Sequence, residues 1–420
     1  MFGELNLARL KGFEKLTSID KARSTLLRQL KLEKLQSIQI PTSMALGRIT
    51  TENIVAENDL PPFDRSAVDG YAVRAKSTFE ASQFSPRALK LTKNNILGEN
   101  EAREIWTGNP LPKGTDAVVM LEYTKTRQNK IEVWVPVTPS KNVSKKGEDV
   151  KKGDIAIKSG TRLKPHHVGL LAALGITHVS VVKKPKVALL STGNELVELG
   201  RKPKLNQVVD ANRLILSCMC QELGAEPLDL GIAKDNLNEI DAKIREGIEK
   251  ADILLTTGGT SVGYADVVPA AVNQIEAPGV IVHGIAMRPG MPTALAVLCG
   301  KPVIILSGNP VAAMIGFEVF ARPLILKLLG IEFEPRPMLE AELTQKVPSA
   351  LGRRAFLRVH VFEKEDKFFA EPVRIKGAGI LSTMTKANGY VIIPEDREGL
   401  NEGEPITVHL FDKIGEAQHV

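Results

Sequence analysis

Three acids and a set of small-residue turns carry the chemistry this sequence offers. Glu195 follows "KVALLSTGN", Asp235 follows "EPLDLGIAK", and Asp266 closes "DILLTTGGTSVGYA". Each run before them is short and apolar, so each acid is expected at the end of a strand. Two further turns share the texture. "MRPGMP" presents Arg288, Pro289 and Gly290, and "LSGNP" presents Ser307, Gly308, Asn309 and Pro310 before a long helix. Small residues let backbone N–H groups point at a ligand, and a helix start favours an anion. Gly193, Asn194, Gly258, Gly259, Thr260 and Ser261 are therefore candidate anion contacts, with Arg288 as the charged partner. Acids beside an anion repel it unless a divalent cation lies between them. Mg2+ takes oxygen ligands with phosphate as co-ligand, so Glu195, Asp235 and Asp266 are its candidate ligands. A plain turn explains any one loop equally well, and Asp266 before "VVPAAV" also fits a helix N-cap. Four such loops on one sheet edge are a stronger signal. They form neither a dinucleotide fingerprint nor a P-loop, since no G-x-G-x-x-G opens a helix and no G-K-[ST] follows.

The elements that must position these residues alternate. From Lys186 to Gly330, strand-like runs are separated by helical ones such as "NRLILSCMCQELG" and "NLNEIDAKIREGIEKA". That order implies a doubly wound, mostly parallel α/β domain whose ligands bind at the carboxyl ends of the strands. Upstream, "TSIDKARSTLLRQL" has a capping-box pattern from Thr17 to Asp20, with Ile19, Ala22, Leu26, Leu27 and Leu30 at helical spacing. A short helix is expected near Pro41 to Leu46. From about Ile49 the texture turns to short apolar runs between Pro, Gly and Asn clusters, a β-rich unit. Helix returns at "KPHHVGLLAALG", with Gly175 as its C-terminal stop. The β-rich unit thus reads as inserted into a helical N-terminal domain. Past about Glu332, short β runs predict a small C-terminal barrel or sandwich. The expected domains are 1–52 with 157–184 (helical), 53–156 (inserted β-rich), 185–331 (α/β) and 332–420 (C-terminal β).

Composition narrows the class. A chain of 420 residues needs several cores. A net charge of +6 favours neither nucleic acid nor a small anion. Cys218, Cys220 and Cys299 have no metal-ligand or disulfide spacing, which fits a cytoplasmic protein. No run has the length of a membrane span. His166 and His167 read as helix-surface residues. In "LPPFDRSAVDGYAV", two prolines, a glycine and two acids suggest a shaped loop in which Asp64 or Asp69 meets substrate.

"PPFDRSAVDGYAV", "WTGNPLP", "GED", "STGNEL", "TTGGTSVGYAD", "RPGMP" and "SGNPVAA" stand in this order. The set resembles the molybdopterin molybdenumtransferases, the MoeA and gephyrin E-domain family, over essentially the whole chain. The resemblance implies an α/β domain of the molybdopterin-binding type and a C-terminal β-barrel. It implies insertion of molybdate, or tungstate, into adenylylated molybdopterin with release of AMP, and it implies Mg2+. It also implies an elongated homodimer whose site joins the α/β domain of one chain to the inserted β domain of the other. A molybdopterin adenylyltransferase is a candidate partner; nucleic acid and membrane are not expected. By position, the resemblance assigns substrate contacts to Asp69, Thr107 and Asp149, acids of the α/β site to Glu195, Asp235 and Asp266, and the last loop to Ser307, Gly308 and Asn309. Arg288 stands where the family usually has lysine. Met291 stands near a second usual lysine, and Ser382 lies close to an expected serine. Arg353, Arg354 and Arg358 are candidates for the missing charge. The alternatives are a molybdopterin adenylyltransferase, which resembles the α/β domain alone, and a non-catalytic scaffold.

Overall fold

The computed structural model describes residues 16–32, 35–259, 267–332, 334–373, 377 and 379–414. The chain divides into two compact units, Ser37–Val181 and Met1–Gln36 with Val182–Val420. No described helix is long and apolar enough to cross a membrane.

In the larger unit, helix α1 (Ile19–Gln29) buries Ile19, Ala22 and Leu26, as its periodicity requires, while Leu27 stays exposed. Its cap is one residue later than the sequence pattern suggested. Ser18, not Thr17, caps it, accepting from Lys21 N at 3.4 Å. Thr17 is taken by strand-like pairing with Ile285, and its N–H donates to Gly284 O at 3.0 Å.

The α/β domain runs β1 (Lys186–Thr192), α2 (Asn212–Glu222), β2 (Glu226–Ala233), α3 (Leu237–Lys250), β3 (Ile253–Thr257), α4 (Val267–Ile275) and β4 (Gly279–His283). The two-residue β5 (Met287–Arg288), then β6 (Ala294–Leu298), β7 (Lys301–Leu306) and α5 (Pro310–Gly316) follow. A π-helical turn (Phe317–Ala321) joins α5 to α6 (Arg322–Leu328). The sheet order is β2–β1–β3–β7–β6–β4. β2, β1, β3 and β7 are parallel, whereas β6 runs antiparallel to both β7 and β4. The sheet is thus more mixed than the alternating pattern suggested, because β6 and β7 are joined by a tight hairpin that leaves no room for a crossover.

Helices α3 and α4 cover one face, where Ile240, Ile244 and Ile248 meet Ala188, Leu190 and Leu254. Truncating Ile244 to alanine in such a core costs about 2–5 kcal/mol. Asn236 starts α3 by accepting from Asn238 N at 2.9 Å and Glu239 N at 3.3 Å. Such a cap contributes about 1 kcal/mol. Helices α2 and α5 pack against each other, α2 also meeting β1 and α5 meeting β7.

The C-terminal domain closes into a barrel of β8 (Met338–Leu343), β9 (Arg354–Lys364), β10 (Lys367–Pro372), β11 (Gly389–Ile393) and β12 (Pro405–Leu410), with the short α7 (Ser382–Lys386) before β11. The ring order is β9–β10–β8–β12–β11, closed by β11 pairing with β9. Val359, Val361, Ala370, Val391 and Val408 fill it.

The smaller unit holds a six-stranded sheet whose central strands are Glu101–Ile105 and Arg87–Leu91. Val73, Leu89, Val119, Ile131 and Val133 form its core. The chain segments before and after the sheet meet in a second core of Ala45, Ile157, Leu163, Leu171, Val179 and Val181. The helix here is Pro165–Ala173, and Gly175 follows it at φ +77°. The helix expected near Pro41 is a single turn, Thr42–Met44, held by Thr42 Oγ1 donating to Ile176 O at 2.7 Å.

Candidate active site

The carboxyl edge of the α/β sheet is built from close backbone approaches. β1 ends at Thr192 and Gly193, whose N–H donates to Ala233 O at 3.2 Å. β3 ends at Thr257 and Gly258, whose N–H donates to Leu306 O at 3.2 Å. A Cβ on Gly258, at φ +91°, would lie 2.3 Å from Thr192 O. One on Gly259, at φ +61°, would lie 2.7 Å from Val268. Only glycine fits there. Gly308, after β7, sits against Gly258, with a hypothetical Cβ 3.7 Å from its Cα. Beneath these turns, buried Ser191 and Thr257 join hydroxyls at 3.0 Å. The loops of Gly193, Gly258 and Ser307–Asn309 are thus brought to one edge, as the sequence implied. Thr260, Ser261 and Asp266 lie outside the described residues.

Glu195 and Asp235 stand at adjacent strand ends. Asn194 and Asp235 exchange two hydrogen bonds: Asn194 N donates to Asp235 Oδ2 at 3.2 Å, and Asp235 N donates to Asn194 Oδ1 at 3.3 Å. Both loops are exposed. Their donors are carboxylate and amide oxygens, which suit a hard cation. Among the described residues no group of three acids, histidines or cysteines converges as a metal cage.

Arg288 is not delivered by an α/β strand. The β4–β6 connection leaves the sheet edge, and β5 pairs in parallel with barrel strand β9, Arg288 opposite Ala355. A two-residue strand whose partner lies far along the chain has no period to read. This pairing forms a cleft of about 300 Å³ lined by Arg288, Pro289, Gly290, Met291, Ser307, Asn309, Arg353 and Arg358, among others. Arg358 is buried, and burial lowers its pKa from the usual arginine value. Three arginines thus line one cleft, and that concentration of positive charge would favour an anion there. Arg354 is absent from it, since Nη2 donates to Asp20 at 2.7 Å and Nε to Glu395 at 3.0 Å. The loop after β10 reaches the same place: Gly377 lines the cleft, and a Cβ on Gly379 would lie 3.2 Å from Asn309 Oδ1. Ser382 opens α7 and is exposed. Pro310 opens α5.

In the smaller unit, Asp69 Oδ1 accepts from both Thr107 N and Thr107 Oγ1, each at 2.7 Å. These bonds hold the Asp69 carboxyl below the usual aspartate range. Asp64 is occupied otherwise, accepting from Lys146 N at 2.8 Å and Lys145 Nζ at 2.9 Å. Of the two acids proposed for this stretch, Asp64 fastens the loop and Asp69 is exposed. Asp149 is also exposed, its N–H donating to Leu60 O at 3.1 Å. His166 is exposed, and His167 Nδ1 accepts from Lys164 N at 3.0 Å at the start of its helix.

The molecule is a multidomain protein in which an α/β domain with glycine-lined strand ends is joined to a closed five-stranded barrel beside an arginine cleft. Residues 17–175 match the MoeA N-terminal region (domain I and II), 188–327 the probable molybdopterin binding domain, and 340–411 the MoeA C-terminal region (domain IV). A putative molybdopterin biosynthesis protein of Methanocaldococcus jannaschii is 36% identical over 97% of this chain and 98% of its own. The molybdopterin molybdenumtransferase of Haemophilus influenzae is 33% identical over 94% and 99%. A crystal structure of a molybdopterin biosynthesis MoeA protein from Pyrococcus horikoshii superposes with TM-score 0.77 at 38% identity, covering 95% of this chain and all of that one. The chain belongs to the MoeA, or molybdopterin molybdenumtransferase, family, transferases of molybdenum cofactor biosynthesis.

Proposed function

We propose that this chain inserts molybdate, or tungstate, into adenylylated molybdopterin, releasing AMP and the metal-loaded pterin. The observation that carries this reading is the arginine cleft beside the glycine-lined sheet edge. A dianion and an electron-rich dithiolene repel each other, the more so where water is excluded. Arg288, Arg353 and Arg358 offset the oxyanion charge, and Ser307 and Asn309 add polar contacts. The turns at Gly193 and Gly258, where the absence of side chains allows close approach, take the phosphates of the pterin–AMP anhydride. Glu195 and Asp235, with Asp266 from the family resemblance, fit Mg2+, which is held by one or two carboxylates plus phosphate and water. Bound there, Mg2+ would supply charge neutralisation at the anhydride oxygens. On the family resemblance, Asp69, Thr107 and Asp149 contact the substrate from the second chain of a dimer.

The experiment is incubation with adenylylated molybdopterin and molybdate. AMP release that depends on molybdate supports the reading. Consumption of ATP with molybdopterin would instead identify an adenylyltransferase, and neither reaction would leave a scaffold.

We further propose a cytoplasmic homodimer, on the family resemblance. Mixing inactive Asp69→Ala and Glu195→Ala chains then restores part of the activity, because a hybrid dimer keeps one intact set of residues. No recovery in proven heterodimers would overturn the shared site.

A further inference from the structure

We propose that Asn212 is a positioning residue for oxyanion binding: it orients the Gly308–Asn309 peptide so that Asn309 N–H serves as a donor to the anion in the arginine cleft. The inference rests on reading that cleft as the oxyanion site.

Asn212 is the first residue of α2 and is 8% exposed. Its Nδ2 donates to Gly308 O at 2.8 Å. Its Oδ1 is buried and, among the described residues, accepts no hydrogen bond. A buried amide satisfied at only one end is a poor choice for packing alone, since an apolar side chain of similar size carries no such cost. The bond to Gly308 is what the side chain contributes. The next residue fixes this end of α2. Arg213 pairs with Glu198, with Asp229 through Nε at 2.9 Å, and with Asp210 through Nη1 at 3.6 Å.

The Gly308–Asn309 peptide is trans. In a trans peptide, C=O and N–H point to opposite sides. With the carbonyl held on the α2 side, Asn309 N–H points away from α2. Its partner within the chain is Ser307 Oγ at 3.3 Å, a long bond for an N–H donor. Ser307 and Asn309 both line the cleft with the three arginines. A fixed N–H of this kind stabilises an anion without having to reorient when the anion arrives. Were the Gly308 carbonyl released, the peptide could turn an oxygen toward the arginines, where it would compete with the anion. Gly308 has no side chain to oppose that rotation, so the restraint has to come from outside the loop.

Two pairs of variants test this. Asn212→Ala removes the restraint. Asn309→Pro removes the N–H and is compatible with the φ of −74° at that position, and Asn309→Ala is its control because it keeps the N–H. The readouts are the molybdate concentration for half-maximal AMP release, the affinity for adenylylated molybdopterin and the melting temperature. Asn212→Ala is expected to raise the molybdate requirement about tenfold, the equivalent of one net hydrogen bond. Asn309→Pro should raise it by a similar factor relative to Asn309→Ala. Pterin affinity stays within about twofold in all of them, below the roughly tenfold effect of a lost bond. A crystal structure of Asn212→Ala should show the 308–309 peptide rotated. An unchanged molybdate requirement in Asn212→Ala and Asn309→Pro overturns the inference. So does a parallel loss of pterin affinity and melting temperature in Asn212→Ala, which assigns the residue to packing. If Asn212→Ala does not fold, the Asn309 pair still decides whether the N–H contributes. Wild-type protein that releases no AMP with molybdate defeats the reading of the cleft itself, a separate outcome.

Discussion

Thr107 gives Asp69 two hydrogen bonds at a single oxygen: the backbone N–H and the side-chain hydroxyl both reach Oδ1 at 2.7 Å. The pair holds the Asp69 carboxyl below its ordinary pKa, so it keeps its charge to lower pH than a free aspartate. Thr107→Val keeps the N–H and the shape but removes the hydroxyl donor. The Asp69 pKa should then rise toward that of a free aspartate. If ionised Asp69 is required, the acid limb of AMP release moves to higher pH in Thr107→Val, and Asp69→Asn loses activity at every pH. A pH–rate profile checks this, and an acid limb that does not move would show that the charge on Asp69 is not limiting.

Arg354 stabilises the molecule instead of binding the anion. It joins α1 to the barrel by bonding Asp20 at 2.7 Å and Glu395 at 3.0 Å, and it lowers the pKa of both carboxyls. A carboxyl whose pKa is depressed on folding stabilises fully above its unfolded pKa and loses that contribution as the pH falls through the folded value. Both acids are partly exposed, which limits the gain. Arg354→Gln should therefore cost about 1 kcal/mol at neutral pH. The gap between its melting temperature and that of the wild type should narrow on acidification below the carboxylate range. Catalysis should be retained at temperatures where both are folded. A variant that stays stable but loses molybdate dependence would return Arg354 to the site.

How much of this was legible depended on whether a residue's role is local. The Gly258 and Ser307 turns could be read because each follows an apolar strand directly, and the alternating pattern puts those strand ends on one edge. The exposed Asp69 and the fastened Asp64 could not be told apart, since what separates them is Lys145 and Lys146, distant in sequence. The barrel pairing of Arg288 was out of reach for a similar reason: Met287 and Arg288 pair with Arg354 and Ala355, distant in sequence. Thr17 offered a better capping box than Ser18, but its backbone was claimed by Gly284. Asn212 had no signal at all, because a helix-opening asparagine is commonplace and its bond to Gly308 is purely tertiary.

Glu195 and Asp235 offer oxygen donors at neighbouring strand ends, and the reciprocal Asn194–Asp235 bonds tie the two loops together. Glu195→Gln and Asp235→Asn keep size and polarity while removing charge. Each should lower Mg2+-dependent AMP release on the order of a hundredfold, the rate equivalent of a few kcal/mol of charge stabilisation. Melting temperatures should change little, since Glu195 is exposed, Asp235 is half-buried, and an asparagine at 235 keeps an oxygen to accept from Asn194 N. Chelation of divalent ions should reduce the wild type to a similar level, and added Mg2+ should restore it but not the variants. Wild-type activity that survives chelation would remove the cation from the scheme, and unimpaired variants would remove these two residues from its ligands.

Arg288 and Met291 occupy one turn of the arginine cleft, where the family resemblance would place two lysines. A guanidinium presents two parallel donors to an oxyanion, which an ammonium group cannot do. On the proposed reading, one arginine takes over the work of a lysine pair, and the apolar Met291 adds no competing charge. Arg288→Lys loses one charge-assisted bond, worth about 1.5 kcal/mol, so the molybdate concentration for half-maximal AMP release should rise about tenfold. Binding of the adenylylated pterin should change much less, because the proposed scheme places its phosphates at the glycine-lined turns. Arg288→Lys with Met291→Lys should recover part of the loss by restoring a second cation. The measurement is the molybdate dependence of AMP release in the three proteins. If Arg288→Lys leaves that dependence unchanged, Arg288 is not the oxyanion ligand. Arg353, which lines the same cleft from the barrel side, is then the cation whose replacement by glutamine should raise the requirement.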